Sequence, residues 1–228
     1  PAKLLAQVLL ATTFPEEIEN AARYVKATGA TGIDEQSWDV SVKAVAHYPT
    51  VLNMMAERID WTTSVGQVYA GQSGDVMNSV QRLRAMANAQ GNLVSTPQQR
   101  VVVDDGYYEI VPAQPRVIFV PSYDPAVIYF QRVYSWDGFG GYYTFGVGFP
   151  IGAWLSVDCD WRAHRVYYDG WSGGGWRARS RPFVFISVVY VHPRYQNVRY
   201  NRDVLYRPVN WAAIDRYHRV HNDVDFRN

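Results

Sequence analysis

The sequence has little of several residue types and patterns, and each shortage excludes a class of protein. Cys159 is its one cysteine, which excludes an intrachain disulfide. A buried small side chain and an intermolecular disulfide remain as alternatives for this residue. The apolar stretch at residues 4–11 is far shorter than the roughly 20 residues that a membrane-spanning helix requires. We therefore predict no transmembrane segment.

Several motifs of common catalytic sites are also absent. The chain contains no P-loop, no dinucleotide-binding glycine fingerprint, no HExxH and no CxxC. His218 and His221 are spaced to share a helix face, with Asp215, Asp223 and Asp225 nearby. Zinc sites use three or four ligands, so we predict polar surface here rather than a metal site. We expect no cofactor and no bound metal.

Lysine is absent after Lys43, and charge is divided unevenly along the chain. Residues 1–130 carry 9 Lys+Arg and 13 Asp+Glu, a net charge of −4, whereas residues 131–228 carry 13 Arg and 8 Asp, a net charge of +5. Of the 34 aromatic residues, 22 lie in the second part. The two parts therefore differ in composition, which predicts different structures for them.

Apolar residues three and four positions apart predict helices up to about residue 95. One apolar stripe consists of Tyr48, Val51, Leu52, Met55 and Ile59, and a second of Val76, Val80, Leu83 and Ala87. Ser73 or Asp75 is predicted to cap the second of these helices, and Gly91 to end it. Trp38 and Trp61 open two similar segments, and we predict that both are buried between helices.

After residue 95 the pattern changes to short alternating runs bounded by prolines, which predicts strands. The runs are residues 101–104, 107–111, 117–120 and 127–130, with a hairpin turn at Gly106. Later candidates are residues 151–157, 165–168 and 183–191. The predicted fold class is α+β. A helical domain of packed helical hairpins (residues 1–95) precedes a β-meander (96–130) and a Gly-, aromatic- and Arg-rich β region that ends in an extended arm (131–228).

The first 130 residues carry a family resemblance in six ordered segments. They are LLAQVLLATTFP (4–15), SWDVSVKAVAHYPTVLNMM (37–55), DWTTSVGQ (60–67), DVMNSVQRLRAMANAQGNL (75–93), STPQQRVVV (95–103) and VIFVPSYDPAVIY (117–129). Together they resemble the bacterial domain of unknown function 3300 family, and CDW at 159–161 continues the resemblance more loosely. The resemblance implies an uncharacterised bacterial envelope or secreted protein, located in the periplasm, on the cell surface or outside the cell. It supplies no catalytic residues.

Arginines alternate with tryptophans in the second part of the chain. The candidate binding residues are Trp161, Arg162, Arg165, Trp171, Trp176, Arg177 and Arg179. Such a set can stack on sugars, bind anionic polymers or single-stranded nucleic acid, or hold a glycine-rich sheet together through Arg–aromatic pairs. We favour polysaccharide as a partner over nucleic acid.

A second candidate surface is the apolar run at residues 183–191, which contains neither charge nor proline. Its predicted pairing edge consists of Phe183, Phe185, Ile186, Val188 and Tyr190. Exposed strands without charge or proline add further strands readily. This edge predicts self-association into a homo-oligomer or a filament.

We expect a non-enzymatic protein that works by binding or self-assembly through its second half. The alternative is a hydrolase acting on cell-wall or extracellular polysaccharide, with acids drawn from Asp158, Asp160 and Asp169. Cys159 and His164 form a second candidate pair, as nucleophile and base. The chain begins at Pro1 rather than methionine, so we expect a processed protein or a fragment without its signal segment.

Overall fold

The computed structural model describes residues 1–131, 143–168 and 190–191. Its helices are α1 (Ala2–Ala11), α2 (Pro15–Thr28), α3 (Val40–Ala46), α4 (Pro49–Glu57), α5 (Ile59–Ala89) and α6 (Pro125–Phe130). Its strands are β1 (Gln99–Asp104), β2 (Tyr107–Pro112), β3 (Val117–Ile118), β4 (Pro121–Tyr123), β5 (Tyr143–Phe145), β6 (Phe149–Pro150), β7 (Val157–Asp160), β8 (Arg165–Tyr168) and β9 (Tyr190–Val191). Helices come first and short strands follow, which confirms the α+β class.

Two compact units make up the chain, and both combine segments that are distant in sequence. The helical unit comprises Lys3–Gly74 and Ala153–Asn228, and the hairpin unit comprises Pro1–Ala2 and Asp75–Gly152. The domain boundaries predicted near residues 95 and 130 divide the chain into segments that would each fold on their own. They stay a prediction.

The core of the helical unit lies where α2, α3 and α4 pack together. Proline at the first position of α2 and acidic residues in its first turn favour a helix start there. The fully buried side chains include Ile18 and Ala21 of α2, Val42 and Val45 of α3, and Leu52 and Met55 of α4. Tyr48, Val51, Leu52 and Met55 of the predicted stripe are therefore confirmed as buried at α4, whereas its last member, Ile59, begins α5 and is half-buried.

The two tryptophans that open similar segments have different surroundings. Trp38 is buried, with 7% of its surface exposed, and its ring meets Tyr24 edge-on at 5.4 Å. Trp61 is 48% exposed, so the prediction that it is buried is wrong. Trp38 precedes α3 in an irregular segment, whereas Trp61 lies in the first turn of α5. The same short pattern therefore stands in different local structures.

The helix α5 consists of two helical segments joined at a kink, and the second segment contains the later helix predicted from Val76 to Ala87. The helix kinks at Gln72, whose φ of −142° and ψ of 48° are not helical. The kink lies among Gly71, Ser73 and Gly74, residue types that favour one. The helix ends as predicted: Gly91 has a φ of +75°, and the Asn92 N–H donates to the Ala87 carbonyl at 2.8 Å, as in a Schellman motif.

The buried face of α5 beyond the kink differs from the predicted stripe. Met77, Arg84 and Ala87 are buried, whereas Leu83 is 40% exposed. Arg84 faces inward because its guanidinium donates to the Tyr108 carbonyl at 2.7 Å. A long-range hydrogen bond thus sets this face, and the prediction for Leu83 is wrong.

The hairpin of β1 and β2 confirms the sequence prediction. The strands are antiparallel, and Asp104 pairs with Tyr107 across a two-residue turn. Both turn residues, Asp105 and Gly106, have positive φ, as the tight turns of such hairpins require. The remaining pairs are β3 with β6, β4 with β5, and the sheet β7–β8–β9, so β3 and β4 pair with later strands rather than with each other.

The strand predicted at residues 127–130 is wrong, because this segment is the helix α6. Asp124 caps it by accepting a hydrogen bond from the Ala126 N–H at 2.9 Å, and Pro125 occupies the first turn. An aspartate–proline start is a helix signal that outweighs the β-branched residues that follow.

Gly66 permits a close approach that no other residue allows. A Cβ atom placed on it would lie 2.2 Å from the Thr12 carbonyl oxygen, which is backbone and cannot rotate away. We expect Gly66→Ala to lower the free energy of unfolding by about 1–3 kcal/mol, measured by urea denaturation. Gly74→Ala is the control, since its Cβ would meet only the His164 Cβ at 3.6 Å. Equal stability of the two variants would contradict the close-approach argument.

Candidate functional site

The most unusual feature of the helical unit is a buried carboxyl group at the start of α3. Asp39 is fully buried, and its Oδ1 accepts hydrogen bonds from the Ser41 N–H at 2.8 Å and the Ser41 hydroxyl at 2.5 Å. The Asp39 N–H donates to Glu17 Oε2 at 2.6 Å, which joins α3 to α2. Within the described residues, Asp39 Oδ2 has no hydrogen-bond partner.

Burial is the largest influence on the pKa of the Asp39 carboxyl group, and it raises that pKa. Desolvation raises its pKa from 3.8 to about 7, the hydrogen bonds from Ser41 act against this rise, and the neighbouring Glu17 carboxylate adds to it. Asp39 can therefore gain or lose a proton near neutral pH, which an ordinary aspartate does not do.

A second part of the network joins Lys43, Asp34 and His47. Lys43 is fully buried, and its Nζ donates to the Asp34 main-chain carbonyl at 2.9 Å. The Asp34 carboxylate lies 3.0 Å from His47 Nε2. The same residue, Asp34, thus contacts the buried Lys43 amine through its backbone and the His47 imidazole through its side chain.

Trp154 extends the network from the loop before β7. Its indole stacks on the His47 ring, with 3.8 Å between ring centroids and an interplanar angle of 10°. Its Nε1 donates to the Tyr48 hydroxyl at 3.4 Å, and its carbonyl accepts from Gln7 Nε2 at 2.9 Å. Burial raises the pKa of Tyr48 to about 12. Trp154 therefore connects the loop before β7 to α1, through Gln7, and to the junction between α3 and α4, through His47 and Tyr48.

No sequence pattern predicts the whole network, although α3 carries one signal for it. All seven residues of α3, VSVKAVA, are buried, and Lys43 is the single charged residue among them. A lysine inside a short apolar helix requires a buried acceptor, because an unpaired buried charge is costly. That signal indicates that a partner exists but does not say which residue it is.

Three of the predicted binding residues lie in the described part of the chain. Trp161 is 4% exposed, so its ring is covered, whereas Arg162 is exposed. Arg165 contributes its backbone to β8, opposite Asp160. Trp171, Trp176, Arg177 and Arg179 lie outside the described residues.

The predicted pairing edge lies almost entirely outside the described residues too. Of Phe183, Phe185, Ile186, Val188 and Tyr190, only the backbone of Tyr190 is described. It lies in β9, which pairs in parallel with β8. The binding set and the pairing edge both stay predictions.

The candidate catalytic residues near β7 have local structural roles. Asp158 Oδ1 accepts from the Cys159 N–H at 2.8 Å, and Asp160 Oδ1 accepts from the Ala163 N–H at 2.9 Å. Cys159 is buried, and His164 sits in the β7–β8 turn with a φ of +52°. Asp169, His218 and His221 lie outside the described residues.

Within residues 1–131 and 143–168, no three histidine, cysteine, aspartate or glutamate side chains are grouped as metal ligands would be. None of the described helices combines the length and the apolar composition needed to cross a membrane.

Comparison with known proteins identifies the family. A sequence model described as Protein of unknown function (DUF3300) matches residues 1–221. The chain belongs to this family. The DUF3300 match confirms the resemblance seen in the first 130 residues and extends it through the second part of the chain.

One curated relative is the "Uncharacterized protein YacH" of Escherichia coli (strain K12), which is 29% identical over 168 residues. The alignment covers 57% of this chain and 27% of the relative, so the chain spans about a quarter of that protein's length. No solved structure matches the chain.

Proposed function

We propose that this DUF3300 chain works by binding or self-association, in the bacterial envelope or outside the cell, and that strand edges of the hairpin unit contribute together with the second half of the chain. The strand pairing of the hairpin unit is the observation that carries the proposal. Its described strands form three two-stranded sheets, β1–β2, β3–β6 and β4–β5. Every strand of a two-stranded sheet has an outer edge, and such edges pair with strands of other chains unless they are covered.

Side chains of the same unit cover part of these edges. The Gln81 amide bonds both backbone groups of Tyr108 on β2, accepting from its N–H at 2.9 Å and donating to its carbonyl at 3.2 Å. On β1, the Ser95 hydroxyl accepts from the Val101 N–H at 2.9 Å. Alternate residues of a strand direct their backbone groups to the same side, so Val103 presents its own groups on the outer side of β1.

The hairpin unit also has exposed apolar side chains. Val103 on β1, Phe130 at the end of α6 and Val147 between β5 and β6 are 58%, 68% and 73% exposed. Exposed apolar side chains beside strand edges favour contact with another chain. These side chains and the edges support self-association as the first function to test.

We expect Val103→Lys to lower the average mass of the full chain in sedimentation velocity, because a charge on an edge strand opposes strand addition. Ile186→Lys, in the predicted 183–191 edge, should have the same effect. Val68→Lys is the matched control: Val68 is 46% exposed, but it lies on α5 in the helical unit. A parent chain that stays monomeric at high concentration, or equal dispersal by Val68→Lys, would overturn the proposal.

Polysaccharide is the second partner that we propose. The hairpin unit carries an open groove of about 390 Å³ lined by Ser95, Thr96, Gln99, Arg100, Pro112, Ala113 and Pro115. Hydroxyl, amide and guanidinium groups beside apolar rings suit the mixed surface of a sugar. Pulldown of the full chain and of Arg100→Ala on insoluble glycans tests this partner, and equal capture of both would exclude the groove.

The hydrolase hypothesis remains the alternative from a different functional class. It requires two carboxyl groups that flank one glycosidic bond. The local hydrogen bonds of Asp158 and Asp160 support a structural role for both instead. Release of new reducing ends from a glycan, abolished in Asp158→Asn, would favour the hydrolase.

A further inference from the structure

Strand β1 has an outer side that β2 does not cover. The Val101 N–H donates to the Ser95 hydroxyl at 2.9 Å, so the backbone groups of Val101 point away from β2. Residues two apart on a strand direct these groups to the same side, so those of Val103 point outward as well. Gln99, at the start of β1, bonds Thr96 through both its N–H and its carbonyl. The stretch from Val101 to Val103 is therefore the part that another strand can reach.

Opposite charges lie at the two ends of this stretch. Arg100 precedes it and Asp104 follows it, and both side chains are exposed on the same face of β1. On β2 they face Val111 and Tyr107, and among the described residues neither charge has an ion pair. Glu109 of β2 is the further charged residue on this face of the hairpin. An antiparallel copy of β1 would present the same two charges in the reverse order.

We propose that β1 pairs antiparallel with β1 of a second copy of the chain, about a two-fold axis at Val102. This pairing depends on the self-association proposed above, and it specifies the strand, the register and the number of copies. Positions equally far from Val102 face each other, so Arg100 of each copy lies opposite Asp104 of the other. Opposite charges in directly facing positions stabilise a pair of strands, and like charges destabilise it.

The backbone of β1 fits the same register. Val101 of each copy lies opposite Val103 of the other, and both direct their N–H and carbonyl groups outward, as a hydrogen-bonded antiparallel pair requires. A shift by one residue would set outward groups opposite inward ones, and a shift by two would move one of the charges opposite Val102. The exposed Ser95 hydroxyl would release the Val101 N–H to the second copy and bind water instead. Val103, which is 58% exposed, would be covered.

This pairing closes at two copies. A two-fold contact uses the same edge of both chains, so neither β1 strand stays open to a third copy. On the outer side of β2, the Gln81 amide already bonds both backbone groups of Tyr108. We therefore expect a dimer through β1, and a filament would need a separate contact such as the predicted 183–191 edge.

Sedimentation velocity of the full chain, with the charges changed one at a time, tests the register. Arg100→Asp and Asp104→Arg each set like charges opposite one another at both ends of the contact, so the association constant should fall roughly tenfold or more. An equimolar mixture of the two variants should recover it, because each variant supplies the charge that the other lacks. The double variant should recover it too. Arg116→Asp is the matched control, since Arg116 is exposed in the same unit but lies outside β1, and it should sediment as the parent does.

The possible results separate the register from self-association itself. Dimers that persist in both single variants, or a mixture that fails to recover them, would overturn the β1 pairing and leave self-association through another surface. A parent chain that stays monomeric at high concentration would overturn both.

A disulfide cross-link tests the register without changing any charge. Val102 would face its own counterpart in a non-hydrogen-bonded pair, where Cα atoms lie about 4.5 Å apart, within the span of a disulfide. Air oxidation of Val102→Cys should therefore give a covalent dimer on a non-reducing gel, while the native Cys159 is buried. Val147→Cys is the control, because Val147 is 73% exposed but lies outside β1. Equal cross-linking of the two variants, or none in Val102→Cys while the chain sediments as a dimer, would overturn the pairing.

Discussion

Replacing Trp38 with alanine is expected to lower the free energy of unfolding by about 3–5 kcal/mol, the range seen when large aromatic side chains are removed from protein cores. Trp38 has 7% of its surface exposed, and its ring meets Tyr24 edge-on at 5.4 Å with an interplanar angle of 82°. It directly precedes Asp39, the cap of α3. Its removal therefore leaves a cavity beside the residue that starts the helix.

Trp61→Ala is the matched control, because it removes the same side chain from a similar sequence segment. Trp61 is 48% exposed on α5, so its truncation should change the free energy of unfolding by less than about 1 kcal/mol. Both variants are measured by urea denaturation with circular dichroism. A Trp38→Ala chain that unfolds at the same urea concentration as Trp61→Ala would show that the buried indole does not anchor α3.

Local signals account for the parts of the fold that the sequence predicts well. The β1–β2 hairpin follows from an Asp–Gly turn between alternating runs, and the end of α5 follows from Gly91. Both depend on backbone conformations that a few neighbouring residues determine. The start of α6 carries an equally local signal, Asp124–Pro125, but the β-branched residues after it suggested a strand.

The wrong predictions for helix faces have a different cause. Arg84 is buried and Leu83 is exposed because the Tyr108 carbonyl, 24 residues away, accepts from Arg84. Hydrophobic periodicity alone assigns arginine to solvent and leucine to the core. A hydrogen bond to a strand edge reverses this preference, and no pattern within α5 reports it.

The buried polar network was still less accessible from the sequence. The Asp39–Glu17 contact spans 22 residues, and the Trp154–Tyr48 contact spans 106. Each member taken alone is an ordinary charged or aromatic residue, and only the packing of α2, α3 and α4 brings them together. Lys43 within the apolar α3 was the single local indication that a buried charge existed.

Asn92 holds the hairpin unit together at one point. It is 1% exposed, and its Nδ2 donates to the carbonyls of Ile128 at 2.9 Å and Gln131 at 2.7 Å, with a longer contact to Val127 at 3.4 Å. The Ile128 and Gln131 carbonyls lie in the last turn of α6 and just after it, where backbone acceptors lack partners within the helix, whereas the Val127 carbonyl also accepts from the Gln131 N–H at 3.1 Å. Asn92 therefore caps α6 from the end of α5.

We expect Asn92→Asp to lower the free energy of unfolding by roughly 3–5 kcal/mol at neutral pH, as when a buried charge is left without compensation. The substitution is nearly isosteric, but it replaces the donating amide with a carboxylate that faces carbonyl oxygens. Burial opposes ionisation of the new carboxyl, so its pKa should lie above the ordinary value and stability should recover in acid, where a protonated oxygen can donate one hydrogen bond.

Asn78→Asp is the control for added charge in the same unit. Asn78 is half-buried on α5, and an aspartate there would face Arg82 four residues along the helix, so its effect should stay within about 0.5 kcal/mol. Urea denaturation of both variants at pH 7 and pH 5 separates the outcomes. If Asn92→Asp and Asn78→Asp have the same free energy of unfolding at pH 7, or if Asn92→Asp becomes less stable on acidification, the Asn92 amide does not stabilise the end of α6. If Asn92→Asp instead loses stability at pH 7 and partly recovers it at pH 5, the Asn92 amide donates hydrogen bonds to the carbonyls at the end of α6.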